Sequence, residues 1–282
     1  MRSIEEEARV HRVAGTHQEA FLADESLAAL LEGDILKELV AWGTDGVRRA
    51  LVVGLEDRGR IALALARAGV FVTVVEPDES LHEPVKVAAE AARCGIQLNF
   101  YASDYMKRDF AASGFDLAVF YATLSNYNEP LVVLKKAARE LRAGGRLFAR
   151  VRVRPSLAPV ARLVGRLPRG AEVVRKAGEL AARVPRVQAV LALPDGAALL
   201  EGVGEVFKVE RTIRYHLVAP LLGRLGTEPR VPAQGRRWLA KALPAAVKAD
   251  ALALRARPLA HLATHLAFFG VKELGLGRTF RL

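Results

Sequence analysis

The chain has 282 residues, 51% of them hydrophobic and 26% charged, with a single cysteine. That composition buries a full core and excludes intrinsic disorder, and one cysteine excludes an internal disulfide framework and any multi-cysteine metal cluster. The net charge of +11 is unevenly spread: residues 1–150 hold 19 basic and 22 acidic side chains, a net of −3, whereas residues 151–282 hold 23 and 9, a net of +14. A field of that sign in the second half recruits polyanions, either an anionic membrane surface or nucleic acid.

In chain order, residues 4–23, 26–31 and 34–42 read as helices, with Asp24 and Asp34 as N-caps and Gly43 and Gly46 as the stop. No apolar leader follows Met1, where the acidic run Glu5 to Glu7 stands, so a cytoplasmic location is expected. From Arg49 the texture changes: an apolar run 50–53, a glycine-bearing turn, helical composition over 61–68, then the β-branched run 70–75 ending at Glu76-Pro77. Strand, turn, helix and strand within about thirty residues make the βαβ unit of a parallel sheet. The alternation continues with a helix over 85–93, strands over 96–101 and 116–121, an amphipathic helix over 130–142 stopped by Gly144-Gly145, and a strand over 146–153. Apolar runs without alternation are strands covered on both faces, which predicts an α/β fold with a doubly wound, mostly parallel sheet.

After Arg154 come short basic segments punctuated by proline, 156–167, 170–184 and 187–193, then a helix over 195–200 and a strand over 206–215. A second basic helical stretch, 218–254, precedes a last strand over 261–271. The expected organisation is an N-terminal helical cap (1–46), a cofactor-binding core (47–154), and basic helical segments with the last sheet strands (155–282). The nearly uncharged stretches 187–200 and 258–271 are interrupted by Pro194, Asp195, His261 and His265 and fall short of the ~20 apolar residues of a membrane span.

Ligands of an open parallel sheet bind at the carboxyl ends of the strands. The first such loop reads Gly54-Leu55-Glu56-Asp57-Arg58-Gly59. Gly54 lets the backbone turn sharply, and Gly59 is expected to let the following helix pack close to the strand. Glu76, ending the second strand, is placed to accept from two ribose hydroxyls, and Asp104, after the third, to receive an exocyclic amino group.

The run Leu51 to Glu76, the Ser103-Asp104 step, Phe115 to Pro130 and Ala138 to Leu147 together resemble the class I S-adenosylmethionine-dependent methyltransferases. The resemblance implies a Rossmann-like core binding S-adenosylmethionine through Gly54, Leu55, Glu56, Gly59, Glu76, Asp104 and Tyr121. It also implies methyl transfer to a small or lipid-like acceptor. The family's helix ending in a Gly-Gly turn before strand five is matched by Arg139 to Leu147, and 40–152 is the part covered. The departures are specific. Val52 stands where the family has an acidic residue, Glu56 replaces the second glycine, and the third is displaced by one to Gly59. A carboxylate at Glu56 either pairs with the methionine amino group or obstructs it. A dinucleotide fingerprint with its middle glycine replaced has the same spacing, but a glutamate there repels a pyrophosphate, and S-adenosylmethionine carries none.

For the acceptor, the loop 123–130 lacks the Asn/Asp-Pro-Pro-Tyr motif of methyltransferases acting on flipped bases, so base methylation loses ground. Tyr127 and His216 are candidates for orienting an acceptor. His261 and His265 share a strand face without a nearby cysteine or carboxylate, so no metal site is expected. Trp238, among Arg236, Arg237 and Lys241, has the look of a residue lying at a lipid headgroup layer, which adds an anionic membrane surface as a partner and a peripheral location. Two alternatives stay open: a methyltransferase-like binding subunit without catalysis, motivated by the altered loop, and an RNA-modifying enzyme, motivated by the +14 half.

Overall fold

The computed structural model describes residues 25–154, 193–216, 232–255 and 262–273, together with Glu172, Arg175, Ala219 and Ala260. The helices expected over 4–23, 156–167, 170–184 and 187–193, the Asp24 cap, the first part of the 218–254 stretch and His261 lie outside the described residues, Glu172, Arg175, Leu193 and Ala219 apart.

Seven strands form one sheet in the order β3-β2-β1-β4-β5-β7-β6. They are β1 (Arg49–Val53), β2 (Phe71–Val75), β3 (Leu98–Tyr101), β4 (Phe115–Tyr121), β5 (Leu141–Arg152), β6 (Lys208–Tyr215) and β7 (His265–Val271). β1 pairs in parallel with β2 and β4, β2 with β3, and β4 with β5. Gly144 donates to Lys272 O (3.0 Å) and Val153 to Thr264 O (2.9 Å), so numbers rise along β5 as they fall along β7 and that pair is antiparallel. Ala50 to Val53 and Leu117 to Phe120 are buried without alternation, as strands covered on both faces must be.

The helices are α1 (Glu25–Thr44), α2 (Arg60–Arg67), α3 (His82–Ala91), α4 (Pro130–Glu140), α5 (Gly196–Gly204) and α6 (Ala233–Ala253). Two local expectations are corrected. The two helices expected over 26–31 and 34–42 are one, α1, with Gly33 and Asp34 in its interior. Leu31, Ile35 and Leu39 are buried at i, i+4, i+8, and that continuous stripe outweighs the roughly 1 kcal/mol cost of an interior glycine. Gly144-Gly145 does not stop α4, which ends at Glu140. It lies in an irregularity of β5, where the register with β4 shifts from Phe115–Leu141 to Leu117–Arg146 and Gly144 takes φ 70°.

Contacts around α1 anchor it to the sheet. Trp42 packs edge-on against Phe269 of β7 (5.1 Å between centroids), which in turn meets Phe148 of β5 at 4.9 Å. Asp116, entering β4, accepts from the amides of Arg48 and Arg49 (2.8 Å each) and from the Arg142 side chain. Burial pushes the Asp116 carboxyl up, but the amides of Arg49 and Arg48 and the Arg142 guanidinium together hold it below the ordinary value. Its stabilisation is therefore complete above the unfolded-state pKa, near 3.9, and is lost as pH falls through the lower folded value. Urea unfolding of Asp116→Asn is expected to show a deficit on the order of 1–2 kcal/mol at neutral pH that shrinks as pH falls through the lowered folded value. A deficit independent of pH would exclude the carboxylate as its source.

Two compact units divide the chain: Met1–Val151 with Leu200–Thr212 and Ala267–Leu282, and Arg152–Leu199 with Ile213–Leu266. The division passes through β5, β6 and β7. Among the described residues no helix is long and apolar enough to cross a membrane.

Candidate active site at the carboxyl ends of the strands

The chain leaves β1 toward β2 and β3 on one side and later returns to β4 on the other, so the order reverses between β1 and β4. A crevice at such a reversal is where an open α/β sheet binds ligands. The loops after β1 to β4, all in the first unit, carry nearly every candidate residue.

Gly54 follows β1 with φ 90° and donates its amide to Val75 O at 2.9 Å. A Cβ there would collide with Thr123 Oγ1 and the Glu56 carboxylate, so only glycine fits. Leu55 donates to Glu76 Oε2 (3.2 Å) and Asp78 to Glu76 Oε1 (3.1 Å), which fixes the carboxylate at the end of β2 with 2% of the residue exposed. Glu76 in turn donates its amide to Tyr101 O (3.1 Å), joining the ends of β2 and β3.

Glu56 reaches across the reversal point. Its Oε2 accepts from Thr123 Oγ1 (2.6 Å) and its Oε1 from Asn126 Nδ2 (2.8 Å), so the loops after β1 and β4 are joined by one carboxylate. Asp104, after β3, caps a short 3-10 turn by accepting from Met106 N (2.8 Å), and Tyr127 donates to the same oxygen at 3.4 Å. The structure thus brings Asp104 and Tyr127 together.

Gly59 has φ 74°, and a Cβ on it would stand 2.5 Å from Val85 Cγ2. A side chain at this position would therefore meet α3, the helix that packs beside the start of α2.

Two features escaped the sequence reading. Asp57, 3% exposed, accepts from the amides of Gly59 (2.9 Å) and Ile61 (2.8 Å) and so holds the first turn of α2. Burial pushes its carboxyl up, and these amides with Arg60 oppose that only in part. Its signal was available: an aspartate just ahead of a helical run is a cap. The second is a buried cluster beside the β4 and β5 ends. Arg150, fully buried, pairs with Glu32 of α1, to which the Tyr121 hydroxyl also donates, and the Arg150 guanidinium lies 5.4 Å from the Tyr121 ring centroid. The hydroxyl of Tyr121 is thus directed to α1.

A further buried cluster braces the same loops: Tyr105 donates to Glu140 Oε2 (2.6 Å), and Lys136 pairs with Glu140 one turn away on α4. Burial, then the Glu140 charge, pushes the Tyr105 phenol well up. Cys94 is a buried free thiol.

His216 belongs to the second unit. It has φ 61° and 4% exposure, and its ring meets His265 edge-on at 4.8 Å, while Thr264 Oγ1 lies 2.8 Å from His265 Nδ1. Among the described residues no three His, Cys, Asp or Glu side chains are grouped to hold a metal ion.

Residues 52–149 match the family model of a methyltransferase domain. No curated protein matches the chain in sequence. Among solved structures, the cyclase SpnF superposes with a TM-score of 0.56 at 17% identity, over 86% of this chain and 81% of its own. The geranyl diphosphate C-methyltransferase of Streptomyces coelicolor A3(2), solved with Mg2+, geranyl diphosphate and S-adenosyl-L-homocysteine, gives 0.56 at 12% identity, over 92% and 84%. The N-methyltransferase NodS of Bradyrhizobium japonicum WM9, solved with S-adenosyl-L-homocysteine, gives 0.50 at 12% identity, over 90% and 96%.

Proposed function

Because residues 52–149 match the family model of a methyltransferase domain, we propose that the chain transfers the methyl group of S-adenosylmethionine to a small or lipid-like acceptor. The observation that carries this reading is Glu76, a buried carboxylate fixed by two loop amides at the end of β2, next to a Gly54 backbone that tolerates no side chain. A carboxylate has about four lone-pair sites, which suits this group to the two hydroxyls of a ribose.

The residues present fit the group. Glu76 would hold the ribose, Asp104 the exocyclic amine, and the Gly54-Leu55 backbone with Gly59 the approach to the loop. Glu56 would receive the ammonium of the methionine portion, and the apolar body of Tyr121 would line the wall. When bound, S-adenosylmethionine supplies an activated methyl on a sulfonium. What the chain contributes is positioning: Tyr127, anchored to Asp104, orients the acceptor. The geranyl diphosphate enzyme shows that this fold accommodates a prenyl diphosphate, which supports the lipid-like end of the acceptor range.

Calorimetry with S-adenosylmethionine is expected to give saturable binding within the range of about 1 μM to 1 mM usual for enzyme substrates. No heat at the upper end overturns the proposal. A second reading, a fold without methyl transfer, is favoured by Glu56 filling the second glycine position and by a cyclase sharing the fold. Glu56→Gly separates the two. If the carboxylate receives the ammonium, the variant binds roughly 10- to 100-fold more weakly, the value of one charge-assisted hydrogen bond. If the carboxylate obstructs the site, the variant binds more tightly.

A further inference from the structure

Helix α6 belongs to the second unit and shows two faces of different chemistry. At 3.6 residues per turn, Leu243 and Asp250, with Leu254 just past the helix end, fall on one side, and all three are buried. Asp250 is turned inward, where it accepts from the Ala219 amide at 2.9 Å. On the opposite side Arg237, Trp238, Lys241, Lys248, Leu252 and, past the helix end, Arg255 are all exposed and lie within an arc of about 100°. Trp238 is 67% and Leu252 63% exposed, about 21 Å apart along the axis. The described residues offer these four cations no ion-pair partner, and the exposed stripe contains no acidic residue.

A solvated helix face ordinarily mixes both signs and turns its large apolar side chains inward. This one carries a single sign and interleaves it with an indole and an isobutyl group. We propose that the exposed face of α6 docks on an anionic phospholipid bilayer, with the four cations meeting the headgroups and Trp238 and Leu252 entering the interfacial layer.

Charge complementarity alone suits any polyanion, and the apolar pair decides between them. A single-stranded nucleic acid covers an exposed indole by base stacking and the cations by phosphate, but it offers nothing to Leu252 at the far end. Uncharged hydrogen-bonding side chains for bases are also scarce, since Gln234 is the one exposed residue of that kind among the described positions of α6. A bilayer covers all six groups at once. The inference does not depend on the chemistry at the β1 to β4 loops, so failure to bind S-adenosylmethionine leaves it standing.

The test is co-sedimentation of the full chain with phosphatidylcholine vesicles, pure or containing about 30% phosphatidylserine, in low and physiological salt. Binding is expected to the anionic vesicles only, and to weaken with salt. Lys241→Gln and Lys248→Gln should each weaken it on the order of fivefold, and about 25-fold together. Leu252→Ser should weaken it about tenfold without changing affinity for a single-stranded RNA oligonucleotide. All three positions are exposed, so unchanged thermal melting shows that the variants fold. Equal partition into neutral vesicles, absence of binding to both, indifference to these substitutions, or tighter binding to the oligonucleotide than to anionic vesicles would each overturn the proposal.

Discussion

Glu76→Gln is expected to weaken S-adenosylmethionine binding about 100-fold or more, the largest functional effect of any single substitution in the site. Hydrogen bonds to an ionised acceptor contribute roughly 1.5–3 kcal/mol each, and two ribose hydroxyls would share this carboxylate. Their loss amounts to on the order of 3–5 kcal/mol, and every 1.4 kcal/mol is tenfold. The amide keeps the shape but turns an NH2 toward either the Leu55 or the Asp78 amide, which now point at a donor. Some loosening of the loop follows, so calorimetric titration is paired with thermal melting. A melting temperature within a few degrees of the parent, with affinity lost, assigns the effect to the ligand. Parent-like affinity would show that this carboxylate braces the loop and does not hold the ribose.

Arg150→Met is expected to destabilise the first unit by about 3–5 kcal/mol, because it strands the Glu32 carboxylate, itself only 2% exposed, without its cation. The double variant Glu32→Leu with Arg150→Met should recover most of that loss, since exchanging a whole buried pair for apolar groups of similar volume is often neutral. Tyr121→Phe removes only a donor to the Glu32 carboxylate and should cost about 1.5–3 kcal/mol. Trp42, the other tryptophan of the chain, packs on Phe269 of the same unit. Its fluorescence in a Trp238→Phe background reports the urea transition selectively. Equal losses in the single and double variants would show that the cost is cavity formation and not an uncompensated charge.

The sheet was legible because its strands are apolar runs with nothing to alternate against. Ala50 to Val53 and the run ending at Val75 admit few other readings, and the glycine loop with Glu76 followed from where such strands end. Less legible was whatever depends on partners far away in sequence. Asp34 looked like the cap of a second helix because nothing local announces that Leu31, Ile35 and Leu39 share one buried stripe. Gly144-Gly145 looked like a helix stop because no local pattern announces a shift of register against β4. Glu32 and Arg150 are 118 positions apart. Each nevertheless left a trace: a glutamate beside Leu31 on an otherwise apolar helix face, and an arginine inside Leu147-Phe148-Ala149-Arg150-Val151. A charge in a run that is otherwise wholly apolar is an invitation to look for its counterion. Glu56 was visible as a departure from the family pattern, but only the fold brings it to Thr123 and Asn126, which donate to its carboxylate.

The place of β7 between β5 and β6 imposes an order of events on a ribosome. β1 to β5 follow one another closely in the chain and can associate as they emerge, whereas β6 is complete at Tyr215 with its only sheet neighbour still unmade. At the usual 5–20 residues per second, roughly 3–10 s pass before Val271 is added. Throughout that interval the β5 edge and both edges of β6 are open, and a nascent chain is exposed to strand pairing with its neighbours on a polysome. Chaperone occupancy during synthesis should therefore rise after residue 215 and fall once β7 has cleared the exit tunnel.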